Sequence, residues 1–134
     1  THDFMIRDGD FDTPTTNQPF LMVFSAGNAG SAASTITEPK EAKNIISTGN
    51  SLNQRQGSIN AMAGSSSRGP ALDGRVLPTV TAPGSQIAST RRVAGASQCG
   101  TAIGTGAAAN YAFCPGTSMA SPQGAGLAVL LTQW

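Results

Sequence analysis

The sequence predicts an α/β fold with a mostly parallel sheet, and two segments carry that prediction. Residues 20–24 form a continuous apolar run with Gly27 just beyond it, which is typical of a strand covered on both faces in a parallel sheet. Residues 118–132 are apolar almost all round at helical spacing, which predicts a buried helix. Pro122 falls in the first turn of that helix, where a missing N–H costs least.

Between these two segments the sequence predicts further short strands separated by turns. The strands are expected at 44–49, 76–82 and 86–90. The remaining stretches indicate turns, a short helical piece, loops or irregular structure, at 1–18, 37–43, 50–75 and 93–115. A length of 134 residues allows one domain with a core of its own, so we predict no separate domains within 1–134.

Composition and charge argue against several kinds of partner. The formal net charge is +1 and charged residues make up 11% of the chain, less than half the usual share of about 25%. No electrostatic case therefore exists for binding nucleic acid or an anionic membrane. No apolar run approaches the roughly 20 residues that a membrane span needs. The chain opens with Thr1-His2-Asp3 rather than a basic and apolar leader, so no signal peptide is visible.

Two cysteines, Cys99 and Cys114, flank a segment rich in Gly, Ala and Thr. A disulfide between them would remove about 3 kcal/mol of unfolded-chain entropy in the loop-closure model. We expect this disulfide if the protein is exported. Two free thiols in a reducing cytosol are the alternative.

The alternating carboxylates of Asp8-Gly9-Asp10-Phe11-Asp12 have the spacing with which a calcium loop begins. The match ends there, because Thr13 stands where the loop glycine belongs and no glutamate follows at the twelfth position. A solvated acidic turn is the better interpretation.

Two short stretches carry the candidate chemistry. Residues 116–122 (GTSMASP) place Ser118 between a glycine turn and the predicted helix, where a hydroxyl is fixed in direction and open to a substrate. Residues 24–30 (FSAGNAG) end an apolar strand with a bend and the amide of Asn28, which can donate to an oxyanion. Taken singly, the serine fits a helix N-cap and the asparagine a turn residue.

The whole heptapeptide 116–122 resembles the serine signature of the subtilisin-like serine proteases, the subtilases. Three further blocks resemble that family in the same order, at 42–49, 66–75 and 81–84. The likeness therefore runs from about residue 20 to residue 131. It implies a three-layer fold whose buried central helix starts at the nucleophilic serine, and it implies that the chain is the C-terminal portion of the catalytic domain.

The resemblance also implies the activity, a serine endopeptidase that cleaves protein or peptide substrates by acyl transfer. Ser118 would be the nucleophile and its backbone N–H one half of the oxyanion hole, with the side chain of Asn28 as the other half. Ser25, Ala26 and Gly27 would line one wall of the pocket for the substrate residue before the scissile bond. The parent enzyme would be secreted and would need no cofactor for its chemistry, while a structural calcium ion stays open because this sequence does not show one.

Several features depart from the family. Gln123 follows Pro122 where a histidine is usual, and Thr79 stands where Pro-Asp is common. The motifs of the catalytic aspartate and histidine, which precede the oxyanion asparagine in subtilases, do not occur in this sequence. His2 is the only histidine, and without the family context we expect it to be solvated or disordered. We therefore expect that the chain needs an N-terminal half of the catalytic domain and is inactive alone.

A different class of function stays open. The chain would then be a stand-alone module, derived from a subtilase, that binds peptides or partners without catalysis. An upstream coding segment with both missing motifs would favour the protease. A start codon and an export signal directly before Thr1 would favour the module.

Overall fold

The computed structural model describes residues 2–10, 12, 18–92, 99–100 and 102–134. The elements in chain order are helix α1 (His2–Arg7), strands β1 (Val23–Ser25), β2 (Ile46–Ser51), β3 (Val80–Pro83) and β4 (Ile87–Thr90), a 3₁₀ turn (Gly106–Asn110), strand β5 (Tyr111–Cys114) and helix α2 (Thr117–Thr132). Residues 13–17, in the predicted polar stretch, and 93–98, in the predicted irregular stretch, lie outside the described residues.

Strands β1, β2 and β3 form a parallel sheet in that order, with β2 in the centre. Val23 lies opposite Ile46, and Thr48 lies opposite Val80. Helix α2 packs against all three strands. This arrangement confirms the predicted α/β class with a mostly parallel sheet. Because the carboxyl ends of parallel strands meet at one edge, the loops that follow β1 and β3 lie near each other.

Strands β4 and β5 form a separate antiparallel pair, in which Ile87 lies opposite Cys114. Cys114 forms a disulfide with Cys99, with the two sulfur atoms 2.00 Å apart. This is one of the two cysteine states that the sequence left open. Since Cys114 ends β5 just before the serine turn, the disulfide anchors the segment that leads into α2.

Small side chains allow α2 to approach the sheet closely. The main cluster of buried apolar residues consists of Ala26, Ile36, Ala71 and Leu77. Strand β2 is buried from its second residue to its last, mostly through Ser, Thr and Asn side chains. A Cβ added to Gly124 of α2 would lie 2.9 Å from Thr48 Oγ1. Gly124, although it weakens the intrinsic helix propensity of α2, is therefore needed for the close helix–sheet contact.

The predicted first strand begins later than expected. Strand β1 starts at Val23, whereas Phe20 and Leu21 are exposed. The Phe20 N–H donates to Ile6 O of α1 at 3.0 Å. The first residues of the apolar run therefore lie outside the sheet, because the backbone of Phe20 is bound to the N-terminal helix instead.

The predicted third strand also starts late, at Val80 rather than Val76. The Gly69 N–H donates to Leu77 O at 3.0 Å, so Leu77 pairs with the preceding loop, and contact with β2 begins at Thr79, whose N–H donates to Ser47 O at 2.8 Å. The predicted strand at 86–90 is confirmed as β4. The second strand was expected at 44–49 and is found as β2 at Ile46–Ser51, two residues later at both ends.

Three elements were not predicted from the sequence, and one of them is the 3₁₀ turn (Gly106–Asn110). Strand β5 lies within the stretch expected to be irregular, and its partner is the β4 strand of the same antiparallel pair. Helix α1 lies within the polar stretch, where Asp3 Oδ1 accepts the Asn44 N–H at 2.8 Å. The expectation that His2 is solvated or disordered is wrong, because its ring is half-buried and packs edge-on against Phe24, with ring centroids 5.8 Å apart.

Helix α2 is buried along one face only. Its buried residues are Thr117, Ala120, Gly124 and Ala128. On the other side, Leu127, Leu130 and Leu131 are 56%, 61% and 67% exposed. The predicted helix is present, but within this chain the sheet covers only one stripe of it. No helix among the described residues has both the length and the apolar character that crossing a membrane requires.

The acidic stretch near the N-terminus uses its carboxylates to bind backbone. Asp8 Oδ1 accepts the N–H groups of Asp10 at 3.1 Å and Gln18 at 3.3 Å. Asp10 Oδ1 accepts the Asp12 N–H at 3.0 Å. Across the part of the chain that the structure describes, no three or more His, Cys, Asp or Glu side chains are grouped to hold a metal ion.

Candidate active site

Ser118 is the second residue of α2 and is exposed at the start of the helix. The N-cap position belongs to Gly116, without a side-chain cap, so Ser118 does not have the capping role that an isolated serine would suggest. Among the described residues, its hydroxyl makes no hydrogen bond. The first N–H groups and the positive end of the helix dipole lie at the same place. A serine so placed can attack an electrophile once a base accepts its proton.

The turn before Ser118 depends on two glycines that contact each other. Gly116 has φ +142°, a conformation that favours glycine. Its N–H donates to Gly84 O at 2.8 Å. A Cβ added to Gly84 would lie 2.5 Å from the Gly116 carbonyl oxygen. Gly84, in the turn expected between the predicted strands at 76–82 and 86–90, therefore allows the backbone contact that holds the serine turn.

The side chain of Asn28 is fixed by Thr117. Its Oδ1 accepts the Thr117 N–H at 3.0 Å and the Thr117 hydroxyl at 3.1 Å. A backbone N–H can only donate, so the amide atom that faces it must be the oxygen. The NH₂ group of Asn28 therefore points away from Thr117, and the residue is exposed. Asn28 thus satisfies an N–H at the start of α2 and keeps its own donor available for a ligand.

Ser25, Ala26 and Gly27 run from the end of β1 toward the serine turn. The Ala26 N–H donates to Thr48 O at 2.9 Å, and the Gly27 N–H donates to Thr117 Oγ1 at 3.2 Å. Ser25 and Gly27 are partly exposed, whereas Ala26 has no exposed surface. Of the three residues predicted to line a substrate pocket, only Ser25 and Gly27 are accessible to a ligand in this structure.

A buried serine supports the same loop from the sheet side. Ser67 Oγ accepts the Ala29 N–H at 2.9 Å, and the Ser67 N–H donates to Gly27 O at 2.9 Å. Sequence reasoning placed Ser67 and Thr117 in blocks that resemble the family but gave neither a role. The family-like blocks pointed to both residues, yet no sequence pattern shows which distant backbone groups their hydroxyls bind.

The two positions that depart from the family have structural partners. Gln123 Nε2 donates to Pro83 O and to Met119 O, the latter at 3.3 Å, so it joins α2 to the end of β3. Thr79 Oγ1 accepts the Ser47 N–H at 3.1 Å and so binds the backbone of β2. Both residues therefore take part in hydrogen bonds between elements of the sheet and α2.

Charged groups are sparse at this site. One ion pair occurs within the described ranges, between Arg75 Nε and Asp73 at 2.8 Å. The hydrogen bond from the Arg75 side chain lowers the pKa of Asp73 below its usual value. This pair lies in the loop before β3. The structure thus places the exposed hydroxyl of Ser118 at the start of α2, next to Thr117, which binds Asn28 Oδ1.

Comparison with known proteins decides the family. The Peptidase S8 model, described as the subtilase family, matches residues 6–134. The chain belongs to the subtilase family. This confirms the resemblance that the serine signature and the asparagine segment carried.

Two similar proteins are much longer than this chain. It is 33% identical over 118 residues to the serine protease AprX of Bacillus subtilis (strain 168), which covers 84% of this chain and 26% of AprX. It is similar to the solved structure of the Clostridium perfringens CspB protease, with a TM-score of 0.53, 28% identity, and coverage of 78% of this chain and 18% of that chain. The sheet and α2 are therefore part of a serine protease fold, and the chain spans about a quarter of AprX.

Proposed function

We propose that this chain is the part of a subtilase catalytic domain that carries the nucleophile, and that the parent enzyme is a secreted serine endopeptidase. Ser118 is the nucleophile and Asn28 an oxyanion donor. The observation that carries this proposal is the pair of hydrogen bonds from Thr117 to Asn28 Oδ1, at 3.0 and 3.1 Å. Thr117 directly precedes Ser118, so these bonds hold the amide donor next to the nucleophile and turn its NH₂ group toward solvent.

In this mechanism Ser118 Oγ attacks the carbonyl carbon of the scissile peptide bond, and the hydroxyl proton passes to the catalytic histidine. As the C–O bond forms, the carbonyl electron pair moves onto the oxygen, which accepts hydrogen bonds from Asn28 Nδ2 and the Ser118 N–H. The C–N bond then breaks and the histidine protonates the leaving amine. Water attacks the acyl-enzyme by the same steps and releases Ser118.

The catalytic histidine and aspartate come, in this proposal, from an N-terminal half of the catalytic domain that acts as the partner of this chain. Two observations support such a partner. Leu127, Leu130 and Leu131 expose an apolar stripe on α2, and β1 pairs with β2 alone among the described strands. Without a base, Ser118 cannot transfer its proton, so the chain alone is inactive.

Secretion is supported by the disulfide between Cys99 and Cys114, because structural disulfides persist mainly in oxidising compartments. The low share of charged residues, 11%, is compatible with that assignment. The chemistry at Ser118 requires no metal or other cofactor, since the oxyanion donors are an amide and a backbone N–H.

Peptide hydrolysis by the protein that contains this chain together with the missing half is the test. We expect degradation of an unstructured protein substrate and covalent labelling by a fluorophosphonate, both lost in Ser118→Ala. Loss of this serine costs about 10⁶-fold in turnover in subtilisin, a family member from which the scale is taken. Ser121→Ala is the matched control, because Ser121 lies one turn further along the same helix.

The isolated chain provides the complementary measurement. We expect no turnover comparable to that of the whole enzyme, because only the oxyanion donors and binding groups remain. Turnover and labelling that persist in folded Ser118→Ala would contradict the proposal. Peptide binding without turnover, equal in both Ser118 forms, would favour the binding module instead.

A further inference from the structure

The ammonium group of Lys40 lies beside Gly27, in the loop that leads to Asn28. A Cβ added to Gly27 would lie 3.5 Å from Lys40 Nζ and 3.0 Å from Ser67 Oγ. Lys40 is half-buried, and its N–H donates to Thr37 O at 3.1 Å, which closes a turn. Its Nζ donates to Thr37 Oγ1 at 3.5 Å. A positive charge therefore adjoins the loop that carries the oxyanion donor.

No carboxylate neutralises this charge in the part of the chain that the structure describes. No Asp or Glu oxygen there lies within 4.0 Å of Lys40 Nζ. The neighbours in sequence, Glu38 and Glu41, line a different cavity of about 400 Å³ together with Asp73 and Arg75, and Lys40 does not belong to that lining. A half-buried ammonium whose partner is a single hydroxyl retains donors for an anion.

In the proposed reaction, the attacked peptide bond would bring a substrate side chain toward the segment next to Asn28. Its carbonyl carbon must reach Ser118 while its oxygen lies at the Asn28 amide. The side chain of the substrate residue that contributes this carbonyl is attached to the Cα next to the attacked carbon. In the proposed reaction that side chain would therefore lie against the segment next to Asn28. Gly27 is accessible there and has no side chain to separate a substrate from Lys40.

We propose that Lys40 is a specificity-determining residue and that the enzyme cleaves preferentially after glutamate or aspartate. The inference rests on the proposed function, because it assigns the substrate class of that same site. A carboxylate beside Gly27 accepts a charge-assisted hydrogen bond from Nζ. A lysine or arginine side chain at the same position meets a like charge, and a glutamine has the size of glutamate without the charge.

The experiment compares peptides that differ only in the residue before the scissile bond, with Glu, Gln, Leu or Lys at that position. The protein assayed contains both halves of the catalytic domain. We expect kcat/KM for the Glu peptide to exceed that for the Gln peptide about tenfold or more, as for a charge-assisted contact in a partly desolvated site. The ratio falls as salt is raised, because salt screens the attraction.

Variants of the chain's two lysines separate this role from general effects of charge. Lys40→Met keeps an unbranched side chain and removes the charge, so the Glu-to-Gln ratio falls to about one. Lys40→Arg keeps the preference, and Lys40→Glu shifts it toward the Lys peptide. Lys43→Met is the matched control, because Lys43 is exposed and its loss leaves the ratio unchanged. Thermal unfolding of each variant verifies that it is folded.

Cleavage sites mapped by mass spectrometry in a denatured protein substrate give a second measurement that does not depend on the chosen peptides. Glutamate and aspartate are enriched before the cleaved bonds, and Lys40→Met removes the enrichment. Equal kcat/KM for Glu and Gln, or a ratio that survives Lys40→Met, overturns the inference and leaves the protease standing. Folded protein that cleaves nothing and resists fluorophosphonate labelling overturns the proposed function and this inference with it.

Discussion

The two ends of helix α2 differ in how much of their surroundings this chain supplies. At the first turn, Thr117 bonds to Asn28 through both its N–H and its hydroxyl. Toward the last turn, Leu127, Leu130 and Leu131 each expose more than half of their surface. The end that carries Ser118 is held by hydrogen bonds within the chain, while the far end presents an apolar stripe that nothing in the described residues covers.

This difference separates two tasks that share one helix. The placement of Ser118 uses hydrogen bonds to loops of this same chain. The burial of the helix requires a second surface. The sheet shows the same division, because β2 is paired on both sides while β1, among the described strands, pairs only with β2. An unpaired edge and an apolar stripe both favour association with another chain or segment.

The largest expected effect comes from charging the exposed stripe of α2. In the whole enzyme, Leu127→Lys with Leu131→Lys should cost about 3–6 kcal/mol of unfolding free energy, since burying each leucine contributes about 1.5–3 kcal/mol. In the isolated chain the same pair should change stability little and should reduce self-association. Denaturant unfolding of the whole enzyme and sedimentation of the isolated chain measure the two effects.

Gln133→Lys is the control for this pair, because Gln133 is exposed just beyond α2 and gains the same charge. A whole enzyme that tolerates both leucine changes would show that the stripe stays in solvent. An isolated chain that is monomeric, and unfolds cooperatively at every concentration, would show that these residues close their own core. The half-domain interpretation would then be wrong.

At the nucleophile's end, Asn28→Asp separates the two functions of the amide. A carboxylate keeps an acceptor for the Thr117 N–H and favours the helix N-terminus, so stability should be held. It removes the NH₂ donor, so kcat should fall about 10²–10³-fold or about 3–4 kcal/mol, with KM little changed. That scale comes from the corresponding donor of subtilisin. Steady-state kinetics and thermal unfolding are the two measurements.

Asn28→Ala is the companion variant, because it removes both the donor and the acceptor. It should lose activity to a similar extent and also lose about 1 kcal/mol of stability, as a helix cap does. If Asn28→Asp kept full activity, the amide would only cap the helix. The nucleophile's end would then have a structural role without an oxyanion donor.

Sequence reasoning captured the features that local patterns encode. The apolar run before Gly27 predicted a parallel strand, and the serine signature predicted the start of α2. The failures have one physical cause, which is that long-range hydrogen bonds decide the outcome. Phe20 is drawn out of the first strand by α1, and Asn28 owes its orientation to Thr117, 89 positions later in the chain. A pattern within a short window contains neither partner.

The smallest predicted effect compares two glycines of α2, of which Gly124 is buried against the sheet and Gly126 is exposed. A Cβ on Gly124 would lie 2.9 Å from Thr48 Oγ1, whereas nothing lies within 4 Å of a Cβ on Gly126. Thr48 is fully buried in β2, so Gly124→Ala should destabilise by about 1–3 kcal/mol through overpacking. Gly126→Ala should stabilise the isolated chain by about 1 kcal/mol through helix propensity.

Denaturant unfolding of both variants, alone and in the whole enzyme, makes this pair a probe of what covers α2. Gly126→Ala should remain stabilising in the whole enzyme only if the added methyl group still meets open space. A change of sign between the two settings would locate the covering surface at residue 126, next to the stripe that begins at Leu127. Equal destabilisation by both variants in the isolated chain would contradict the one-sided burial of the helix, because a Cβ at Gly126 has no atom to meet there.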